Sequence, residues 1–142
     1  MGMLDLSVTV CTLNEERNIA GCLEALWLQN PHEIIVIDGN SDDKTRQIAR
    51  SNGAIVINAG RKGLAYQRKV GIDMAQSTFI ALIDADHRPD PNSFEVLVSE
   101  MEKHHYDGIE AQIISVNNKG YWDWAMEQNF RITHNKPGPR IM

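Results

Sequence analysis

The feature that most constrains this chain is a repeated alternation of short Val- and Ile-rich runs with segments of helical period. The runs are Leu6–Val10, Ile34–Ile37, Ala54–Ile57, Phe79–Ile83 and Ile109–Val116. The first four lack a strict polar–apolar alternation, which suits strands covered on both faces, as in a parallel sheet. Between them lie helix candidates. In Glu15–Gln29, residues Ile19, Cys22, Leu23, Leu26 and Trp27 fall on one apolar face, with Asn14 as the expected N-cap. Asp42 or Asp43 is placed to open the next helix, which runs toward Ser51 with Gly53 just past its end. A third helix is expected over Leu64–Gln76. A fourth opens near Pro91 and carries Phe94, Leu97, Val98 and Met101 at helical spacing; a fifth is expected over Tyr121–Thr133.

Strands separated by helices imply right-handed crossovers. The expected fold class is therefore α/β, a mostly parallel sheet flanked by helices, Rossmann-like in its winding. Residues 1–133 are expected to form one α/β domain. His134–Met142, rich in Pro, Gly and basic residues, reads as a loop or a severed connection. With 142 residues, 42% of them apolar and 23% charged, the chain is globular rather than disordered. A net charge of −5 excludes a global positive field for nucleic acid. No apolar run is long enough for a membrane span. Cys11 and Cys22 are too few for a disulfide framework and are read as core residues. With no secretory signal at the start, the expected setting is cytoplasmic.

In an open α/β sheet, ligands bind beyond the carboxyl ends of the strands. The polar residues gather there. The strand ends carry Cys11–Glu16, Asp38–Asp43, Asn58–Gly63 and Asp84–His87. Side chains two apart in an extended segment point the same way, so Asp84 and Asp86 are expected to face one cation together. A hard divalent ion, Mg²⁺ or Mn²⁺, takes such oxygen ligands and bridges them to a diphosphate. Against this stands turn chemistry after a strand, helped by Pro89 and Pro91. Asp38 can accept a hydrogen bond from a base or a ribose. Thr12, Asn14 and Glu15 share the first loop, where helix capping competes with ligand binding. Arg61, Lys62, Arg68 and Lys69 are the basic concentration near the rim. Of these, the Arg68 fork is best placed for a phosphate or a rim acid. No phosphate-binding glycine loop and no nucleophile elbow occur.

Four blocks, taken in order, carry a resemblance: Val8–Glu16 (VTVCTLNEE), Ile35–Asp42 (IVIDGNSD), Ala65–Gly71 (AYQRKVG) and Ile83–Asp86 (IDAD). The chain resembles the family 2 glycosyltransferases, over about Leu6 to Val98 and weakly beyond. The resemblance implies the nucleotide-diphospho-sugar-binding part of a glycosyltransferase A fold and an inverting, metal-dependent sugar transfer. Carried over by position, Thr12, Asn14 and Glu15 would line the nucleoside pocket and Asp38 would contact the base or ribose. Arg68 would stand near the base or the phosphates, Asp84 near the ribose or sugar, and Asp86 on the metal. Many members place a second acid after the first at the end of strand two, where it reads uracil; here that place is Gly39. The acceptor half and the general base usually follow well after the Asp-x-Asp, and nothing after Asp86 matches that block. The catalytic base is thus left unassigned. The fold is expected to be truncated at its C-terminal end, with missing core cover that would favour a homo-oligomer. The implied acceptor is a glycan, a lipid or a protein, and many relatives work at a membrane face. Two alternatives stand beside this reading. One is a catalytically incomplete nucleotide-sugar-binding domain. The other is a sugar nucleotidyltransferase, disfavoured because Thr12–Asn18 contains no glycine.

Overall fold

The computed structural model describes residues 2–111. Its element order is β1 (Leu4–Thr12), α1 (Ile19–Trp27), β2 (Pro31–Asp38), α2 (Thr45–Ser51), β3 (Ile55–Asn58), α3 (Leu64–Met74), β4 (Phe79–Asp84) and α4 (Ser93–His104). The four strands form one parallel sheet in the order β3-β2-β1-β4. The chain divides into two compact units, Met1–Val98 and Ser99–Met142, and the whole sheet lies in the first.

The order follows from handedness. From β1 to β3 the sheet grows in one direction, so right-handed crossovers put α1 and α2 on one face. The step from β3 to β4 runs back past β2 and β1, which puts α3 on the other. Side chains of adjacent residues along a strand point to opposite faces. Val8, Val10, Ile34 and Val36 accordingly join Ile19, Cys22, Leu23, Leu26 and Ala49 in the main core, which also takes in Phe94 of α4. Each fully buried Ile or Leu there contributes on the order of 1.5–3 kcal/mol. On the opposite face Thr9 and Ile37 meet α3 at Gly71, where an added Cβ would lie 3.0 Å from Thr9 Cβ and 3.3 Å from Ile37 Cγ1.

Among the described residues, the first four expected strands and the first four expected helices lie close to where the apolar runs and helical periods put them, but two caps differ. Asn14 does not cap α1. It stands in the left-handed region at φ 56°, and its Oδ1 accepts the Asp42 N–H at 2.9 Å. The Glu15 carbonyl accepts the N–H groups of Asn18 and Ile19, so a turn precedes α1, which starts at Ile19 rather than Glu15. At α2 the residue in the cap position is Lys44, with no side-chain cap bond of its own. Asp43 takes that work, accepting the Thr45 N–H and hydroxyl. Gly53 follows α2 at φ 80°, as expected for a residue that ends a helix. Ile109–Ala111, the start of the expected fifth strand, has no regular structure. The rest of that strand, the Tyr121–Thr133 helix and the 133/134 boundary lie outside the described residues. In the second unit, Glu100 pairs with Lys103 and His104, and the His104 ring stacks on Tyr106.

Candidate functional site

The register of the sheet levels the strand ends. Thr12 pairs with Asp38, Asp38 with Asn58, and Cys11 with Asp84. Neighbouring strands lie about 4.8 Å apart, so Asp38 and Asp84, on either side of β1, are separated by roughly two such steps. Four strand ends, widely separated in the chain, therefore share one edge of the sheet.

The loops after β1 and β2 are tied to each other. The Asp38 carboxylate, fully buried, accepts the Thr12 hydroxyl at 2.9 Å, the Ser41 N–H at 2.8 Å and the Ser41 hydroxyl. Arg46 Nε stands 3.5 Å from Oδ2, the oxygen that also takes the Ser41 N–H. The Asn14 N–H donates to Ser41 Oγ and the Glu15 N–H to Thr45 Oγ1, both at 2.8 Å. The Glu16 N–H reaches Asp43, and the Lys44 N–H reaches the Glu16 carboxylate. Burial pushes the Asp43 carboxyl up, but bonds from the Thr45 hydroxyl and N–H and from the Glu16 N–H outweigh it, and it titrates below its ordinary value. The Glu15 side chain turns back to accept from Asn18 Nδ2 at 2.8 Å. Thr12, Asn14, Glu15 and Asp38 are thus brought together as one cross-braced pair of loops.

On the α3 face, Arg68 stands 3.5 Å from Asp84, with both side chains close to half exposed. A pair this wet contributes at most about 1 kcal/mol to stability. It orients two charged groups at the rim instead. Cys11 lies beside the pair, and burial raises its thiol pKa. Burial also pushes the Cys22 thiol up, to about 11, so neither cysteine is a thiolate near neutral pH. Two other members of the basic cluster are engaged elsewhere. Arg61 stacks over the Tyr66 ring at 3.8 Å and Lys69 pairs with Asp73.

Asp84 and Asp86 do not share an extended segment. β4 ends at Asp84, and the His87 N–H folds back onto the Asp84 carbonyl at 3.0 Å, so Ala85 and Asp86 form a turn. Ala85 is buried, while Asp86 is 69% exposed with His87 Nε2 at 3.8 Å. Arg88 braces this turn, donating to the carbonyls of Ala85, His87 and Asn18. Among the described residues no group of three or more His, Cys, Asp or Glu side chains is arranged to hold a metal ion. Asp84 and Asp86, at the end of β4 and in the turn after it, supply two carboxylates. That set fits a Mg²⁺-like ion, which binds through one or two carboxylates and takes its other ligands from substrate phosphates and water.

Several residues at the rim escaped the sequence reading: Ser41, Thr45, Arg46, Gln67 and Arg88. Ser41 had a local signal, since an Asp accepting the N–H three residues on is ordinary turn chemistry. Gln67, one residue before Arg68, had none. It is buried, and its amide donates to the carbonyls of Thr12 at 2.9 Å and Ile37 at 2.7 Å.

The profile of Glycosyl transferase family 2 matches residues 7–141, nearly the whole chain. The chain belongs to glycosyl transferase family 2. A low-salt glycan biosynthesis hexosyltransferase of Haloferax volcanii is 41% identical over 88 residues, covering 57% of this chain and 21% of the relative. A dodecaprenyl-phosphate galacturonate synthase of Rhizobium johnstonii is 32% identical over 122 residues, covering 73% of this chain and 34% of the relative. Among solved structures, glucosyl-3-phosphoglycerate synthase of Mycobacterium tuberculosis, in complex with Mn²⁺, UDP and glucosyl-3-phosphoglycerate, superposes with a TM-score of 0.61 at 25% identity. That match covers 68% of this chain and 39% of that one. The TarS protein of S. aureus has the same fold, at a TM-score of 0.61. The family 2 chain described here therefore has a glycosyltransferase A fold and spans well under half the length of these relatives. No helix among its described residues is long and apolar enough to cross a membrane.

Proposed function

We propose that this family 2 chain binds a nucleotide-diphospho-sugar at the strand-end rim and serves an inverting transfer of the sugar to a glycan, lipid or protein hydroxyl. The observation that carries this is the register, which brings Thr12, Asp38 and Asp84 to one edge with Arg68 beside Asp84. In this reading Thr12, Asn14 and Glu15 line the nucleoside pocket. The Asp38 carboxylate is wholly engaged inside the protein, so its part in holding base or ribose runs through the Thr12 and Ser41 hydroxyls that it orients. Arg68 turns its guanidinium to the phosphates, where a planar fork suits paired oxygens. Asp84 orients Arg68 and approaches the ribose or the sugar. Asp84 and Asp86 would hold the Mg²⁺ or Mn²⁺, which would neutralise charge on the departing diphosphate. The M. tuberculosis synthase, solved with Mn²⁺ and UDP, supports that choice of ion and ligand.

The test is calorimetric titration of the full chain with UDP and GDP, with and without Mn²⁺. Binding is expected to need the ion. Asp86→Ala is expected to weaken it by about tenfold or more, the loss of one charge-assisted contact. Equal affinity in excess chelator would refute the role given to the two aspartates.

A further inference from the structure

Gln67 is set into the end of the sheet in an unusual way. Both of its amide hydrogens are committed to backbone carbonyls, Thr12 O at 2.9 Å and Ile37 O at 2.7 Å, so the side chain bridges β1 and β2 where they end. A flipped amide would turn Oε1 against those two carbonyl oxygens. The orientation is therefore fixed, and Oε1 must face away from them. It faces Gly39. An added Cβ on Gly39 would lie 3.0 Å from Oε1, 3.2 Å from Cδ and 3.3 Å from Nε2. Gly39 is not among the residues with positive φ, so room for the amide, not backbone conformation, is what requires a glycine there.

Oε1 itself accepts no hydrogen bond from the described residues. The one sealed, partnerless side-chain polar atom among those residues is Ser77 Oγ, so Oε1 keeps an opening to solvent although Gln67 as a whole is only 5% exposed. A nearly buried, immobilised acceptor without a donor gains from any N–H offered through that opening. It lies at the β1–β2 edge of the rim, one residue before Arg68.

We propose that Gln67, with Gly39 giving it room, is a specificity-determining residue, its Oε1 accepting a ring N–H of the nucleobase. This rests on the donor-binding reading above and adds a discrimination to it. Uracil N3 and guanine N1 carry a hydrogen and satisfy Oε1. Cytosine N3 and adenine N1 are acceptors and set two lone pairs against each other. A locked acceptor rejects the mismatched edge because the amide cannot rotate to become a donor without giving up two buried bonds.

The experiment measures dissociation constants of the full chain for UDP, GDP, CDP and ADP in Mn²⁺. UDP and GDP are expected to bind about tenfold or more tightly than CDP and ADP. Gln67→Met keeps the length and removes the acceptor; it is expected to bring the four nucleotides within about threefold of one another, the discrimination of one hydrogen bond being removed. Gly39→Ala, which leaves the amide but presses on Oε1, tests the same contact should the Met variant fail to fold. It is expected to weaken UDP and GDP about fivefold and leave CDP and ADP unchanged. Discrimination that stays undiminished in either folded variant overturns the proposal while leaving donor binding intact. Failure of the unaltered chain to bind any of the four overturns the donor-binding reading and this one with it.

Discussion

Asp38 makes four contacts inside the protein, to Thr12, twice to Ser41, and to Arg46, and it has no surface of its own. Its charge is tolerable in the interior because each oxygen meets more than one donor. Removing the carboxylate strands the partners as well. Asp38→Ala leaves the Thr12 hydroxyl, the Ser41 N–H and hydroxyl, and the Arg46 guanidinium facing a void, and is expected to cost about 2–4 kcal/mol. Urea denaturation followed by circular dichroism measures it; a loss under about 0.5 kcal/mol, typical of surface changes, would show that the cluster contributes nothing. The acid at position 38 was legible in the sequence because it stands at the end of an apolar run. Its inward orientation was not, since that depends on Thr12 and Arg46 arriving from other elements. The same holds for Asn14, whose side chain serves the β2 loop and not the helix beside it.

At the level of elements, α3 does the most to shape the rim. It enters through Gly63 at φ 141°, a backbone that side-chain-bearing residues rarely adopt, and sets Gln67 and Arg68 over the ends of β1, β2 and β4. Gly71, one turn further on, lets the helix lie close to the sheet. A glycine inside a helix normally costs about 0.5–1 kcal/mol against alanine. Here the sign reverses, because the new methyl would stand 3.0 Å from Thr9 Cβ and 3.1 Å from its Cγ2. Thr9 is fixed within β1 and cannot retreat. Gly71→Ala is therefore expected to destabilise by about 1–3 kcal/mol, the cost of overpacking. It should also weaken UDP binding by lifting Arg68 from the rim. A variant with a raised melting temperature would contradict the close packing. The period alone predicts this helix, and its observed end at Met74 falls two residues short of the expected Gln76. Its apolar stripe is weak, and Ile72 and Met74 are partly exposed, so the pattern could not indicate which side meets the sheet.

For the molecule as a whole, the rim exists because four strands run parallel and end level. The two cross-braced loops, the α3 entry and the Asp84 turn are held from different directions, and a ligand that touches all three ties them together. Whatever binds the native state alone stabilises it, by about 2.7 kcal/mol at a hundredfold excess over the dissociation constant. UDP with Mn²⁺ is accordingly expected to raise the melting temperature by about 5–10 °C, at about 2–4 °C per kcal/mol for a domain of this size, and excess chelator to reverse it. A melting temperature indifferent to both would separate the rim from nucleotide binding. The strand and helix order, the parallel sheet and the concentration of acids at strand ends were all determined by the sequence, because each is written in local spacing: apolar runs, helical period, polar residues where runs stop. Only the tertiary structure decided that the Asp38 carboxylate turns inward, that Asp86 leaves the extended line of Asp84, and that Gln67 locks against Gly39. Those are contacts between residues far apart in the chain, or turns braced by them, and no local pattern encodes which distant partner arrives.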